Sequence, residues 1–307
     1  MQKKEIIIPS NQDGLDLSAL QVMPEGEIKG IVQISHGMAE NKERYVDFME
    51  FLAQNGYVSM IHDHRGHGKS VIQKDDLGYF YDKKAEYIVE DVKQVTDYIK
   101  EQYPDKPLIL FGHSMGSMVV RKYIKKYDNA IDKLIVCGSP SQNKLVGVAL
   151  ALIGIQKVFH SDRYRSNLIQ NLTFSSYNKG VENPASPNSW ICSNEKVVAD
   201  YDASDLCGFV FTLNGFQNLF TLSKEIYCKK NWSMANKTLP IFFIAGADDP
   251  TILSKEAWIA AQDFLKNLGY TNISNQLYPK MRHEILNEIG KEKVYQDVLN
   301  WMEKGEK

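Results

Sequence analysis

Leu108-Ile109-Leu110-Phe111-Gly112-His113-Ser114-Met115-Gly116-Ser117 decides the fold. Its first four residues read as a buried strand, the stretch from Ser117 to Ile124 has helical spacing, and G-x-S-x-G stands between them. The motif arises readily by chance; the strand before it and the helix after it give it meaning. The two glycines permit a sharp turn that leaves the Ser114 hydroxyl exposed above a sheet in a strained conformation. The plain alternative is a glycine-rich turn with an idle serine.

On the N-terminal side, Lys29–His36 and Tyr57–Ile61 read as strands, with a helix over Arg44–Gln54 stopped by Asn55-Gly56. Glu5–Pro9 and Ser18–Met23 read as a hairpin around Gln12-Asp13-Gly14. Ile88, Val92, Val95 and Ile99 predict a long amphipathic helix over Lys84–Tyr103, ended by Pro104. On the C-terminal side follow a helix at Met115–Lys126 and a strand at Lys133–Cys137. Such alternation predicts an α/β fold, a mostly parallel central sheet flanked by helices. It stops at about residue 141 and resumes with a strand at Pro240–Ala245, a helix at Glu256–Leu268, a strand around Asn275–Tyr278 and a helix at Lys291–Lys304. Residues 1–140 and 238–307 therefore read as one core, and 141–237 as a largely helical cap inserted into it.

The 307 residues are 43% hydrophobic and 24% charged, which supplies a sizeable core and excludes a disordered chain. Lys+Arg 36 against Asp+Glu 38 gives a net charge of −2, without the basic excess of a nucleic-acid binder, so no nucleic-acid partner is expected. The four cysteines, at 137, 192, 207 and 228, form no C-x-x-C pair and point to a reducing compartment. MQKKEIIIPS lacks the roughly 7–15 apolar residues of a signal peptide. The uncharged apolar run Leu145–Ile155 falls short of the ~20 residues of a spanning helix. A cytoplasmic location is the expectation.

A serine becomes a nucleophile when a base takes its proton and a carboxylate orients that base. In this strand–turn–helix setting the order is Ser, acid, His. Of the seven histidines only His160 and His283 follow Ser114, and only His283, in Met281-Arg282-His283-Glu284, follows another sheet strand. The acid should end a strand between them; Pro240–Ala245 runs into Gly246-Ala247-Asp248-Asp249-Pro250, and spacing leaves Asp248 and Asp249 both open. Two backbone amides must hold the oxyanion, that of Met115 after the nucleophile and that of Met38 in the loop opened by His36-Gly37. Three histidines in His62-Asp63-His64-Arg65-Gly66-His67-Gly68 invite a metal, but H-x-H-x-D-H would need Asp where Gly66 stands. Gly68-Lys69-Ser70 fails as a P-loop end, because the motif's first glycine falls on Asp63. The segment reads as a structural loop in which Asp63 and Arg65 satisfy buried groups; no metal and no cofactor are expected.

These residues together make the chain resemble the α/β-hydrolase superfamily, and within it the monoacylglycerol lipase / lysophospholipase-like branch, serine aminopeptidase-type hydrolases. His36-Gly37-Met38-Ala39-Glu40 with Arg44-Tyr45 is similar to that branch's HGxxE…RY loop, Asp63 to Ser70 to its D-x-RGHG-x-S, and Gly112 to Ser117 to GHSMGS. The resemblance covers nearly the whole chain and thins in the cap. It places the acid three residues after the strand-end glycine, at Asp249, and implies Ser114, Asp249 and His283 as catalytic residues. It implies a serine carboxyl-ester hydrolase acting through an acyl-enzyme on a small acyl ester, a monoacylglycerol or a lysophospholipid. Glu40 and Arg44 are then either substrate-binding residues for a polar head or an ion pair fixing the oxyanion loop. Leu145–Ile155 suits an acyl tunnel or a transient membrane-surface contact through the cap, and equally an ordinary packed helix. Two rivals stand beside this reading: an aminopeptidase using a cap carboxylate among Glu182, Asp200, Asp202 and Asp205, and a non-catalytic ligand-binding protein.

Overall fold

A computed structural model describes residues 1–304. The strands are β1 (Gln2–Pro9), β2 (Asp16–Met23), β3 (Gly30–Ser35), β4 (Tyr57–His62), β5 (Leu108–His113), β6 (Lys133–Cys137), β7 (Ile241–Gly246) and β8 (Ile273–Tyr278). They form one eight-stranded sheet in the order β1-β2-β4-β3-β5-β6-β7-β8. The hairpin β1–β2 and the pair β2–β4 are antiparallel, and every pair from β4 to β8 is parallel.

The inner strands β3 to β7 are largely apolar because both faces are covered, whereas the edge strands β1 and β8 keep exposed polar residues. Leu108 and Leu110 of β5 enter one cluster and Ile109 and Phe111 the other, as a period of two requires. On the first face pack α2 (Tyr87–Gln102), α3 (Met115–Tyr127) and α8 (Lys255–Leu268); on the second pack α1 (Val46–Gln54) and α9 (Lys291–Glu303). The fold is thus an α/β sandwich with a mostly parallel sheet, as the alternation predicts.

Between β6 and β7 lie α4 (Val146–Phe159), α5 (Asn167–Phe174), α6 (Glu195–Ala203) and α7 (Leu213–Glu225), joined by loops and short 3-10 turns. Among the described residues no helix is long and apolar enough to cross a membrane. Two predicted helices begin later than their spacing implies. The Asp82 carboxylate takes the amides of Lys83, Lys84, Glu86 and Tyr87, and Ala85 sits at φ +53°, so α2 starts at Tyr87 rather than Lys84. Asn41 caps a 3-10 turn over Lys42–Tyr45 before α1, where a single helix from Arg44 was expected.

Candidate active site

All the chemistry-bearing loops leave the carboxyl ends of the parallel strands, where an open α/β sheet gathers its ligands. Ser114 sits between β5 and α3 at φ +53° and ψ −118°, a backbone that L side chains rarely adopt. The turn closes only because Gly112 and Gly116 lack side chains: a Cβ on Gly112 would stand 2.5 Å from the Gly116 carbonyl, and one on Gly116 would strike the Ser35 carbonyl. Met115 is then the first helical residue of α3, a position whose amide has no partner within the helix. Met38, in the loop after β3, lines the same cavity as Ser114 and Met115.

The structure brings Ser114, His283 and Asp249 together. His283 Nδ1–H donates to Asp249 Oδ2 at 2.9 Å, which leaves Nε2 to accept from the Ser114 hydroxyl at 2.7 Å. Asp249 is buried and its other oxygen accepts the Thr251 amide at 2.8 Å; Asp248, one residue earlier in the same turn, is exposed. His160 lies at the end of α4, stacked on Tyr164. Trp190, from the insertion, tilts against the His283 ring at 5.0 Å.

Glu40 and Arg44 are spent internally. One Glu40 oxygen accepts the Gly37 amide at 2.5 Å and the Tyr45 hydroxyl at 2.8 Å, and the other accepts from Arg44 at 2.8 Å. Arg44 forks onto both oxygens of Glu284 at 2.6 Å. The guanidinium therefore ties the loop after β3 to the loop that carries His283. Of the two readings of this pair, the geometry favours the brace. Burial works against the Glu40 carboxylate, but the bond to His113 and the charge of Arg44 outweigh it and hold the group below the usual carboxylate range. Glu284, Tyr45, Thr251 and Trp190 were not singled out as site residues. Arg282-His283-Glu284 carries only a charge pattern in sequence, and which charge reaches Arg44 is decided by the loop's path.

The loop after β4 is structural. Asp63 accepts the amides of Lys42 and Lys69 and pairs with the buried Lys42 ammonium at 3.2 Å. Arg65 holds Asp91 at 2.7 Å. His36, His62, His64 and His67 are all buried, with ring centroids 4.4–6.5 Å apart along the cluster. Burial holds all four rings below the usual imidazole value, His62 and His67 at about 3.

Over the site opens a cavity of about 670 Å³, lined by Ser114, His283, Met38 and Met115 on the sheet side and by α4, α5 and the Trp190 segment on the other. Val146, Val148, Ala149, Leu152, Leu219 and Phe220 make one wall apolar, while Asn178, Asn188, Ser175 and Tyr201 bring polar atoms to another. Among the described residues, Glu40 and Glu284 are the acidic groups that line it.

Comparison with known proteins gives the family and the fold. Residues 26–290 match the family described as serine aminopeptidase, S33. A monoacylglycerol lipase of Mycolicibacterium smegmatis is 24% identical over 281 residues, covering 91% of this chain and 90% of that protein. The crystal structure of a thermostable carboxyl esterase from Bacillus coagulans, in complex with glycerol, superposes with a TM-score of 0.89 at 26% identity over 98% of both chains. A soluble variant of monoglyceride lipase from Saccharomyces cerevisiae shares the fold, with a TM-score of 0.76 at 19% identity over 99% of this chain and 96% of that one.

Proposed function

We propose a function on the premise that the chain belongs to the serine aminopeptidase, S33 family of α/β-hydrolases, in its monoacylglycerol lipase and lysophospholipase-like branch: it hydrolyses carboxylic esters of long-chain acids, monoacylglycerols or lysophospholipids, through an acyl-enzyme. The observation that carries this reading is the Ser114–His283–Asp249 chain, with hydrogen bonds of 2.7 and 2.9 Å, opening on a cavity with one apolar wall. Ser114 attacks the acyl carbonyl while His283 Nε2 takes its proton and passes it to the leaving alcohol. Asp249 keeps Nδ1 protonated and balances the charge His283 acquires. The Met38 and Met115 amides hold the oxyanion; water, giving its proton to His283, then attacks the acyl carbonyl, and the histidine returns that proton to Ser114 as the acid leaves.

In this reading residues 141–237 act as a cap. The α4 wall receives the acyl chain, and the polar wall receives the alcohol. Leu145, Val148, Ile155, Val158 and Phe159 are 59–77% exposed along or beside α4, and Leu172 on α5 is 68% exposed. Such a face supports transient contact of the cap with a lipid surface. The aminopeptidase alternative needs a free carboxylate for the substrate ammonium. Glu182, Asp200, Asp202 and Asp205 lie outside the cavity lining, and Glu40 and Glu284 are occupied by Arg44.

Initial rates on a long-chain monoacylglycerol, a short-chain aryl ester and a proline aryl-amide test the reading, with Ser114→Ala protein as blank. Fast monoacylglycerol turnover is the expected result. Cleavage of the amide alone establishes the peptidase, and no turnover of any of the three favours a ligand-binding protein.

A further inference from the structure

His113, the residue before the nucleophile, is 5% exposed and has no part in the proton transfers just described. Its Nε2 lies 3.2 Å from the backbone carbonyl of His283, an atom that only accepts, so Nε2 carries a hydrogen. Its Nδ1 lies 3.0 Å from the Tyr45 hydroxyl and 3.4 Å from Glu40 Oε1. The single Tyr45 proton is directed to Glu40 Oε1 at 2.8 Å, so the tyrosine oxygen offers Nδ1 lone pairs. Turning that proton toward Nδ1 would leave a carboxylate oxygen and a phenol oxygen at 2.8 Å with no hydrogen between them. Both ring nitrogens therefore face acceptors.

A charge count agrees. Glu40, Glu284 and Arg44 form one connected ion cluster, with the two carboxylate side chains 4% and 6% exposed and the guanidinium 14%. Two anions and one cation leave a negative charge over, and His113 at 3.4 Å from Glu40 is placed to neutralise it.

We propose that His113 is an imidazolium at neutral pH, the second cation of this cluster, and that it serves as a positioning residue for His283. Its Nε2–H pins the backbone of the base, and its charge sits beside the base's ring, the two ring centroids being 4.7 Å apart. The assignment of its role, though not of its charge, rests on His283 being the base. The other groups that face it fit. His36 at the end of β3 accepts the His64 amide on Nε2 and donates to the Gly37 carbonyl from Nδ1, a neutral pattern. Cys137, its neighbour across β6, has its thiol pushed well up by burial and is uncharged. Burial would depress the His113 ring, yet the bond and charge of Glu40, with Glu284 behind it, raise it above the usual imidazole value. Both Glu40 oxygens accept N–H bonds, from Gly37 and Arg44, which favours the proton on His113 rather than on Glu40.

A neighbouring positive charge opposes proton uptake by a base, so it extends the working range of that base to lower pH. His113→Gln keeps an amide donor in the same place and removes the charge. The acid limb of its kcat/KM profile is expected to move up by about one pH unit, and an unmoved limb beside a lowered kcat would overturn the proposal by making His113 a packing residue. The ring nitrogens of nitrogen-15-labelled protein, assigned by loss of the signals in His113→Gln, decide the charge independently of kinetics. An imidazolium shows two nearly equal shifts and a neutral ring two well-separated ones; the separated pattern at pH 7 in the unsubstituted protein also overturns the proposal. Where His113→Gln fails to fold, through-bond assignment of the unsubstituted protein identifies the same two nitrogens. Activity surviving in both Ser114→Ala and His283→Ala would instead discard the proposed nucleophile and base without bearing on the His113 spectrum of the unsubstituted protein, so the two failures are distinct.

Discussion

The sheet and the segment between β6 and β7 use apolar residues in opposite ways. Every position of β3, β4, β5 and β7 is buried, whereas Val158 and Phe159 at the end of α4 are more than three-quarters exposed. In the sheet, burial on both faces fixes backbone positions and with them the distances between Ser114, Asp249 and His283. In the insertion only Val146 and Ile153 of α4 are buried, and the rest of that helix is left to face the cavity or the outside. On the proposed function, one region decides where bonds are made and broken, and the other decides which molecules come near.

The sharpest way to break this division is Ser114→Ala. Turnover of the best ester is expected to fall by on the order of 10⁴-fold or more, with the thermal midpoint nearly unchanged, since one hydroxyl is lost and the strained turn is kept. A comparable loss from any cap substitution that leaves the fold intact would show that the division is false.

The next effect concerns stability alone and belongs to the core. His62 and His67 are held neutral by burial, with folded-state values near 3 against 6.5 in the unfolded chain. Between those values the unfolded state binds more protons, so stability is full above pH 6.5 and falls as the pH drops toward 3. Each of the two contributes a slope of up to about 1.4 kcal/mol per pH unit. The depressed Glu40 adds loss in the same direction once the pH falls below its ordinary 4.5. Thermal midpoints measured from pH 7.5 to 4.5 should decline steadily from about 6.5 downward, and a flat profile would contradict the neutral cluster.

The smallest expected change is on the cap. Val158→Ser with Phe159→Ser should alter unfolding free energy by less than about 1 kcal/mol, because both side chains are already in water. The pair should nonetheless weaken sedimentation with phosphatidylcholine vesicles several-fold and leave the rate on a short aryl ester unaltered. Undiminished vesicle binding would remove the lipid surface from the proposal.

The same contrast explains what could be read in advance. Strand alternation, the G-x-S-x-G turn and the order Ser, acid, His lead to Ser114 and His283, and the family resemblance adds Asp249, the third residue that the structure brings together. Asp248 and Asp249 could not be separated by spacing, because which of two adjacent side chains turns inward depends on the turn set by Gly246 and Pro250. The late start of α2 was hidden for a similar reason: Asp82 captures amides that periodicity alone assigns to the helix. Arg44's choice of Glu284, 240 residues away, has no local signature at all. Exposure on α4 was equally invisible, since an apolar run reads alike whether it faces a core or a lipid.

Ser114 and His283 are separated by 169 residues, and the insertion lies between them. At about 5–20 residues per second, a ribosome takes roughly 8–34 s to pass from one to the other. Throughout that time the nascent chain carries Ser114 without His283, so on the proposed mechanism the order of synthesis itself keeps the nucleophile apart from its base.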